Sequence, residues 1–324
     1  MQIRDFKPKN QFFLAPMEAV NCTSFRILCL RRGAGLVYTD LIDADEFTQF
    51  AKETSVLDAI KKFVNPNSED HPLAIQLAGA KIENLVFAIK ELENYCEVFD
   101  FNVGCPLGKV LGKKAGCYLM KHPDNLYKII FEIRKTTNKP LSVKLRSGWD
   151  EKSINAVEVA VELEKLGVDT IILHARTKEQ GYQKKSDWNL VKKLKENVNI
   201  PVVLSGDVFN SYDAKLAFEK TGCDAIMLGR GAKVNPSIFS QLKSFQKASK
   251  KDKVYCKNEV NPVKDFLEWL KLYRNIEGRN NFSEVRDHAL WTAIECKNNK
   301  EVKQLIVNCK TEDELVKIVN ELKF

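Results

Sequence analysis

Val98-Phe99-Asp100-Phe101-Asn102-Val103-Gly104-Cys105-Pro106 decides how the rest of the chain is read. Val98 to Asn102 reads as a short buried strand, and Gly104 and Pro106 force a turn directly after it. An Asn and a Cys therefore stand at the end of a strand. In a barrel of parallel strands that end is where active sites are assembled. A thiol there serves as a proton donor or a nucleophile, and an Asn amide reads a polar substrate edge.

The same unit recurs on both sides of this stretch. Apolar, β-branched runs at Phe12–Ala15, Leu36–Thr39, Leu73–Leu77, Leu141–Leu145, Thr170–His174, Val202–Ser205 and Ala225–Leu228 read as strands. Between them, helical periodicity covers Ser24–Arg32, Ile82–Tyr95, Pro123–Lys135, Ser153–Leu166, Asn189–Glu196 and Ala214–Lys220, while Asp43–Phe63 is less regular. Eight strands alternating with helices predict an α/β fold, a (β/α)8 TIM barrel over residues 1–242. An open doubly wound sheet is the alternative, but no early Gly-rich dinucleotide fingerprint accompanies it.

The pattern changes near Gln241. Ala248-Ser249-Lys250-Lys251-Asp252-Lys253 is a polar, basic linker, and only helical patterns follow, around Val263–Tyr273, Ser283–Cys296, Glu301–Asn308 and Glu312–Leu322. Thr311 and Glu314 have the spacing of a capping box. Residues 243–324 are thus expected to form a C-terminal all-α helical domain.

Composition narrows the function classes. The chain has 324 residues, 44% apolar and 29% charged, as in an ordinary globular protein. Its net charge of +8 favours a polyanionic partner, although Lys-rich usage alone would produce much of that excess. Nine Cys without a C-x-x-C spacing, and no signal-like start, point to reduced thiols in the cytoplasm. Cys and His never cluster at zinc spacing, so no metal is expected. No apolar run approaches the roughly 18 residues of a membrane span, so no membrane partner is expected.

The polar residues that stand out follow the strands. Pro16 and Met17 follow the first, Gln76 lies near the end of the third, and Asn102 and Cys105 follow the fourth. Lys144 and Arg146 end the fifth, His174 and Arg176 the sixth, Ser205, Gly206 and Asp207 the seventh, and Gly229 and Arg230 the eighth. Parallel strands bring all these ends to one mouth. The last two ends suit a phosphate, because small residues let backbone N–H groups approach its oxygens and Arg230 adds charge. Ordinary Gly turns closing β–α units are the competing reading. Lys144 leaves its strand on the same side as Arg146, with Arg146 at or beyond the rim. A Lys in a barrel mouth needs an anionic partner, either a flavin's N1–C2 region or a carboxylate of the mouth. Lys109, Lys113 and Lys114 make the loop after Cys105 basic, which would stabilise a thiolate or attract phosphate unless the loop is merely solvated.

At these residues the chain resembles the tRNA-dihydrouridine synthase family. Ala15-Pro16-Met17 with Phe25-Arg26 resembles the family's opening motif, and Asn102-Val103-Gly104-Cys105-Pro106 its catalytic Asn-x-Gly-Cys-Pro signature. Lys144-Leu145-Arg146-Ser147-Gly148-Trp149-Asp150 resembles its fifth-strand motif, and His174-Ala175-Arg176-Thr177 with Gln180 and Tyr182 its sixth. Arg286, His288 and Trp291 resemble a basic-aromatic helix motif of the tail. Two departures stand out: Ser205 replaces the usual Asn before Gly206-Asp207, and Lys113-Lys114-Ala115-Gly116-Cys117 occupies a loop where small residues are usual.

The resemblance implies FMN at the barrel mouth, transient reduction by NADPH, and a uridine of tRNA as substrate. Hydride would pass from the flavin to uracil C6, and Cys105 would protonate C5. Pro16, Met17, Gln76, Lys144, His174, Ser205, Gly206, Asp207, Gly229 and Arg230 would hold the cofactor. Asn102, Arg146, Arg176, Tyr182 and Arg286 would meet the substrate. Basic residues of the 247–257 linker with Lys184 and Lys185 would contact tRNA phosphates. The sequence does not fix the oligomeric state; a monomer is expected. A flavin barrel reducing a small molecule, and a catalytically silent tRNA-binding protein, are the competing functions.

Overall fold

The computed structural model describes residues 1–247, 261–278 and 281–324. The basic 248–253 stretch and most of the 247–257 phosphate-contact segment lie outside the described residues. Nine strands occur among the described residues: β1 (Phe12–Leu14), β2 (Val37–Tyr38), β3 (Ile42–Asp43), β4 (Leu73–Ala78), β5 (Val98–Val103), β6 (Leu141–Arg146), β7 (Thr170–His174), β8 (Val202–Ser205) and β9 (Ala225–Leu228). All pair in parallel, in the order β1-β9-β8-β7-β6-β5-β4-β2. A parallel bridge between Phe13 and Leu36 closes the ring, with Leu14 N–H donating to Leu36 O at 2.9 Å. The expected (β/α)8 barrel is therefore present.

Its second stave is broken. β2 pairs with the start of β4 and β3 with its end. Between them, the Asp40 carboxylate accepts the N–H groups of Ala19 (2.8 Å) and Leu41 (3.1 Å), and this interrupts the ladder. The irregular Asp43–Phe63 stretch holds two helices, Ala44–Glu53 and Val56–Phe63. Asp43 caps the first and Ser55 the second, each through a side-chain oxygen on first-turn N–H groups.

Period-two alternation sorts the strands' side chains. Phe13, Leu36, Tyr38, Ala74, Val98, Ile172, Val203, Ala225 and Met227 form an inner apolar cluster. By the same alternation and register, Gln76, Asp100, Asn102, Ser142, Lys144, Arg146, His174 and Ser205 share that inner face. The barrel is thus polar inside along β4–β6 and mostly apolar along β7–β9 and β1. The outward residues pack under the helices in one continuous core.

That core extends into the tail, whose helices are Pro262–Ile276, Phe282–Thr292, Asn299–Asn308 and Glu312–Asn320. Trp269, Leu270 and Tyr273 belong to the same core cluster as Phe25 and Leu28 of the Thr23–Arg31 helix. Arg32 pairs with Asp265 at 2.6 Å and Glu268 at 2.7 Å, and Glu277 accepts Ser24 N–H at 2.8 Å. One helix, Ile238–Lys247, runs across the expected 242/243 division. Thr311 caps its helix as the sequence indicates, accepting Glu314 N–H at 3.2 Å. Among the described residues no helix is long and apolar enough to cross a membrane, and no group of His, Cys, Asp and Glu could hold a metal.

Candidate active site

Cys105 is held by its own loop. Asn102, the penultimate residue of β5, turns its Oδ1 onto the N–H groups of Gly104 (3.0 Å) and Cys105 (2.8 Å). Its Nδ2 donates to Gln76 Oε1 at 2.8 Å. The Cys105 carbonyl accepts Cys117 N–H at 3.0 Å, and Gly116 has a φ of +60° there. A Cβ on Gly116 would stand 2.7 Å from that carbonyl oxygen, so only Gly fits. Cys117 is buried and its thiol is pushed up to about 12 by burial, which makes it a packing residue.

The Cys105 thiol is half-buried and stands above its ordinary value. Burial is the main cause; Leu107 N–H opposes it, Glu18 adds to it, and Lys109 and Lys144 pull the other way. Cys105 is therefore a thiol, not a thiolate, at neutral pH. The basic loop does not change this. Lys109 pairs with Glu18, and Lys113 pairs with Asp43 at 2.6 Å and Glu46 at 2.9 Å. The expectation that the loop's lysines stabilise a thiolate or gather phosphate is corrected for Lys109 and Lys113, which Glu18, Asp43 and Glu46 already answer.

Lys144 sits in β6 opposite Asn102 on one side and Ile172 on the other. Burial lowers its ammonium to about 8, the Arg146 charge adds to that effect, and Asp100 opposes it. Its amine makes no hydrogen bond to a described residue. Arg146 differs from its expected place at or beyond the rim. β6 runs one residue longer than predicted, and Arg146 is only 2% exposed within it. Its guanidinium donates to the carbonyls of Gly104 (2.9 Å), Thr177 (2.9 Å) and Gly181 (3.3 Å), tying the loops after β5 and β7 together.

Arg176 is likewise turned into the protein. It donates to Lys184 O at 2.5 Å and to both oxygens of Asp207 at 2.8 and 2.7 Å. Its Nη1 lies 3.2 Å from His174 Nε2. Since Arg only donates, Nε2 accepts and the His174 proton is on Nδ1. His174 stays neutral: burial holds it well below the usual imidazole range, and Lys144, Arg146, Arg176 and Arg230 add to this.

The ends of β8 and β9 form a cradle. Gly206 has φ +120°, and a Cβ there would meet Ser186 Oγ at 2.9 Å. Asp207 follows at φ +57°, its carboxyl shared between Arg176 and Arg230 (3.0 Å). Burial alone would raise that carboxyl, but Arg176, Ser186 N–H and Arg230 hold it below its ordinary value. Gly229 opens the Arg230–Val234 turn, whose first N–H groups have no side-chain cap. The cavity between these ends is lined by Pro16, Met17, Lys144, His174, Tyr182, Ser205, Gly206, Asp207, Gly229 and Arg230, together with Phe209. Arg230 lies 4.7 Å from the Tyr182 ring centre and 5.3 Å from that of Phe209.

Comparison with known proteins gives the chain's family. The family model described as Dihydrouridine synthase (Dus) matches residues 13–323. The chain belongs to the dihydrouridine synthase family. The tRNA-dihydrouridine synthase B of Shewanella oneidensis is 32% identical over 252 residues, which cover 78% of this chain and 76% of that protein. A probable tRNA-dihydrouridine synthase of Aquifex aeolicus is 32% identical over 323 residues, 97% of this chain and 96% of that one. A solved variant of NCR from Zymomonas mobilis shares the fold, with a TM-score of 0.56 at 15% identity, over 77% of this chain and 90% of that one.

In this dihydrouridine synthase family member, the residues expected at the site fall into several groups: Cys105 stands on the loop after β5 and is not among the residues that line the cavity, and Arg146 and Arg176 are tied into the loops around it. Pro16, Met17, Lys144, His174, Tyr182, Ser205, Gly206, Asp207, Gly229 and Arg230 come together at one cavity. Asn102 and Gln76 are engaged with each other in the polar interior beside it. Arg286 lies apart on the Phe282–Thr292 tail helix, 5.8 Å from the Phe282 ring centre. Asp100, Ser142 and Phe209 were not singled out in the sequence. Asp100 was within reach of the period-two rule, since it shares a strand face with Asn102.

Proposed function

We propose that the protein reduces a uridine of tRNA to 5,6-dihydrouridine, with FMN at the barrel mouth and NADPH as electron donor. Supporting this reading is a protonated, half-buried thiol on the loop after β5, with the neighbouring β6 carrying into the cavity the half-buried Lys144, whose amine makes no hydrogen bond to a described residue, and with an uncapped turn at Gly229 on the same cavity. The residues present fit FMN. Gly206, Gly229 and Arg230, which line the cavity together, would take its phosphate. Lys144 would face the ring edge that gains negative charge on reduction, His174 would offer Nδ1–H, and Pro16 and Met17 would form the apolar wall.

Bound FMN supplies the hydride for uracil C6. Cys105 supplies the other hydrogen, a proton to C5, and its raised pKa keeps that proton in place until the base arrives. The base has to leave its stack to reach this depth, and Tyr182 and Arg230 stand at the rim to receive it. Asn102 spends its oxygen on the loop, which leaves one amide N–H for the base. Arg146 and Arg176 act by shaping the mouth and supplying positive potential. The barrel of 1–242 would do the chemistry, and the tail of 243–324 would grip tRNA phosphates through Arg286 and its basic approach.

The test is reconstitution. Purified protein with FMN and NADPH, given tRNA from cells lacking its gene, is expected to form dihydrouridine, read by nucleoside mass spectrometry. Turnover of free uracil with none on tRNA would overturn the proposal.

A further inference from the structure

Beneath Cys105 the barrel interior carries a chain of four polar side chains from neighbouring strands. Ser142 Oγ donates to Asp100 Oδ1 at 2.5 Å, and Gln76 Nε2 donates to Asp100 Oδ2 at 2.5 Å. Asn102 Nδ2 donates to Gln76 Oε1 at 2.8 Å, and Asn102 Oδ1 accepts the Gly104 and Cys105 N–H groups. All four side chains are buried, so none can exchange a lost partner for bulk water.

Each amide has a donor end and an acceptor end, so the chain has a direction. The N–H groups at the top need an oxygen. In its ionised form the carboxyl at the bottom only accepts, so it draws the Gln76 NH2 toward itself. Gln76 must then present its oxygen to Asn102, and Asn102 its oxygen to the loop. If Gln76 turned over, two NH2 groups would face each other. If Asn102 turned to relieve that, its NH2 would meet the two backbone N–H groups.

We propose that Asp100 is a positioning residue for Cys105: it orients the Gln76 and Asn102 amides and, through them, holds the loop that carries the thiol. The inference rests on the reading of Cys105 as the proton donor. Asp100 also lies within electrostatic reach of Lys144, and a charge-partner role would predict a different set of variants. Asn at position 100 keeps an oxygen for Gln76 and can turn its NH2 to Ser142, whose hydroxyl then donates to Phe99 O, now 3.5 Å away. It keeps the direction and loses the charge. Leu keeps neither.

The experiment compares Asp100→Asn and Asp100→Leu by the rate of iodoacetamide alkylation at Cys105. The rate is read peptide by peptide against Cys22, the other half-buried cysteine of the described residues. Asp100→Leu is expected to raise the Cys105-to-Cys22 ratio on the order of tenfold through local opening of the loop, and to lower kcat with little change in KM for tRNA. Asp100→Asn is expected to stay within about threefold of the parent protein on both measures, in line with a net hydrogen-bond contribution near or below 1 kcal/mol. Adding Asn102→Leu to Asp100→Leu should raise the alkylation ratio by less than the product of the two single effects, because both act through one chain. Gln76→Met cuts the same chain one link higher, and gives the same readout if Asp100→Leu does not fold. An unchanged ratio in these variants, or both cysteines rising together, overturns the proposal. Equal loss in Asp100→Asn and Asp100→Leu also overturns it, in favour of the charge role. Alkylation needs no turnover, so a protein inactive on tRNA would defeat the functional reading while still testing this one.

Discussion

Cys105 and Lys144 are perturbed in opposite directions by the same burial. The thiol is pushed up and kept protonated, and the ammonium is pulled down to about 8. An amine in this position costs desolvation without recovering a hydrogen bond from the protein. Its folded-state value lies below its unfolded one, so the penalty is complete below pH 8 and fades as pH rises toward about 10.4. Lys144→Met is therefore expected to melt at the same or a higher temperature than the parent apoprotein at pH 7. Asp100, itself pushed up to about 7 by burial, can take a proton once the amine is gone. The same variant should bind FMN roughly 10–100-fold more weakly, the worth of a charge-assisted hydrogen bond. Calorimetry and flavin fluorescence titration check the two halves, and a variant that is less stable but binds FMN normally would contradict them. At this scale the sequence located the polar strand ends but not their partners. Arg146 and Arg176 look like free cations in a linear reading. Their carbonyl and carboxylate partners come from other loops, so only the folded chain shows that they are spoken for.

The elements were legible where apolar runs are short and bounded. β7, β8 and β9 have the limits that their runs indicate. The second stave was not, because Asp40 breaks it into pieces two residues long, below what alternation can register. The Asp43–Phe63 helices were obscured by the Thr54-Ser55 junction, where one helix ends and the next is capped, resetting the period. The tail's attachment was invisible for another reason: it depends on pairs such as Arg32 with Asp265, more than two hundred residues apart. His288 sits at that attachment, stacked on Trp269 with ring centres 3.5 Å apart and edge-on to Phe25 at 5.5 Å. Burial, with the Lys233 charge, holds it well below the usual imidazole range. Its stabilising neutral form is lost as pH falls from about 6.5 through the folded-state value. His288→Phe keeps the aromatic packing and removes the titration. The variant should lose fewer degrees of melting temperature between pH 7 and pH 5 than the parent protein, by scanning calorimetry. Equal losses would show that His288 carries no acid sensitivity.

The whole molecule is a barrel whose interior is divided by polarity. Along β7–β9 and β1 it is packed with apolar side chains, as a barrel floor should be. Along β4–β6 it holds a carboxyl, two amides and a hydroxyl that lead upward to Cys105, with the Lys144 side chain on the same face. Such a buried polar network is costly unless every member is satisfied, and its position under one cysteine gives that cysteine a fixed seat. The excess of positive charge over the chain suits a polyanionic substrate, and the mouth collects four cations around a neutral His174. The fold and the mouth's location follow from alternation and strand ends. The direction of the inner hydrogen-bond chain does not, since it depends on which residues of different strands share a layer. The most direct measurement of the account is dihydrouridine formed on tRNA by Cys105→Ala, beside its bound flavin absorbance. Flavin is expected to be retained and dihydrouridine formation to fall by about 100-fold or more, the usual worth of a positioned general acid. Full activity in that variant would contradict it.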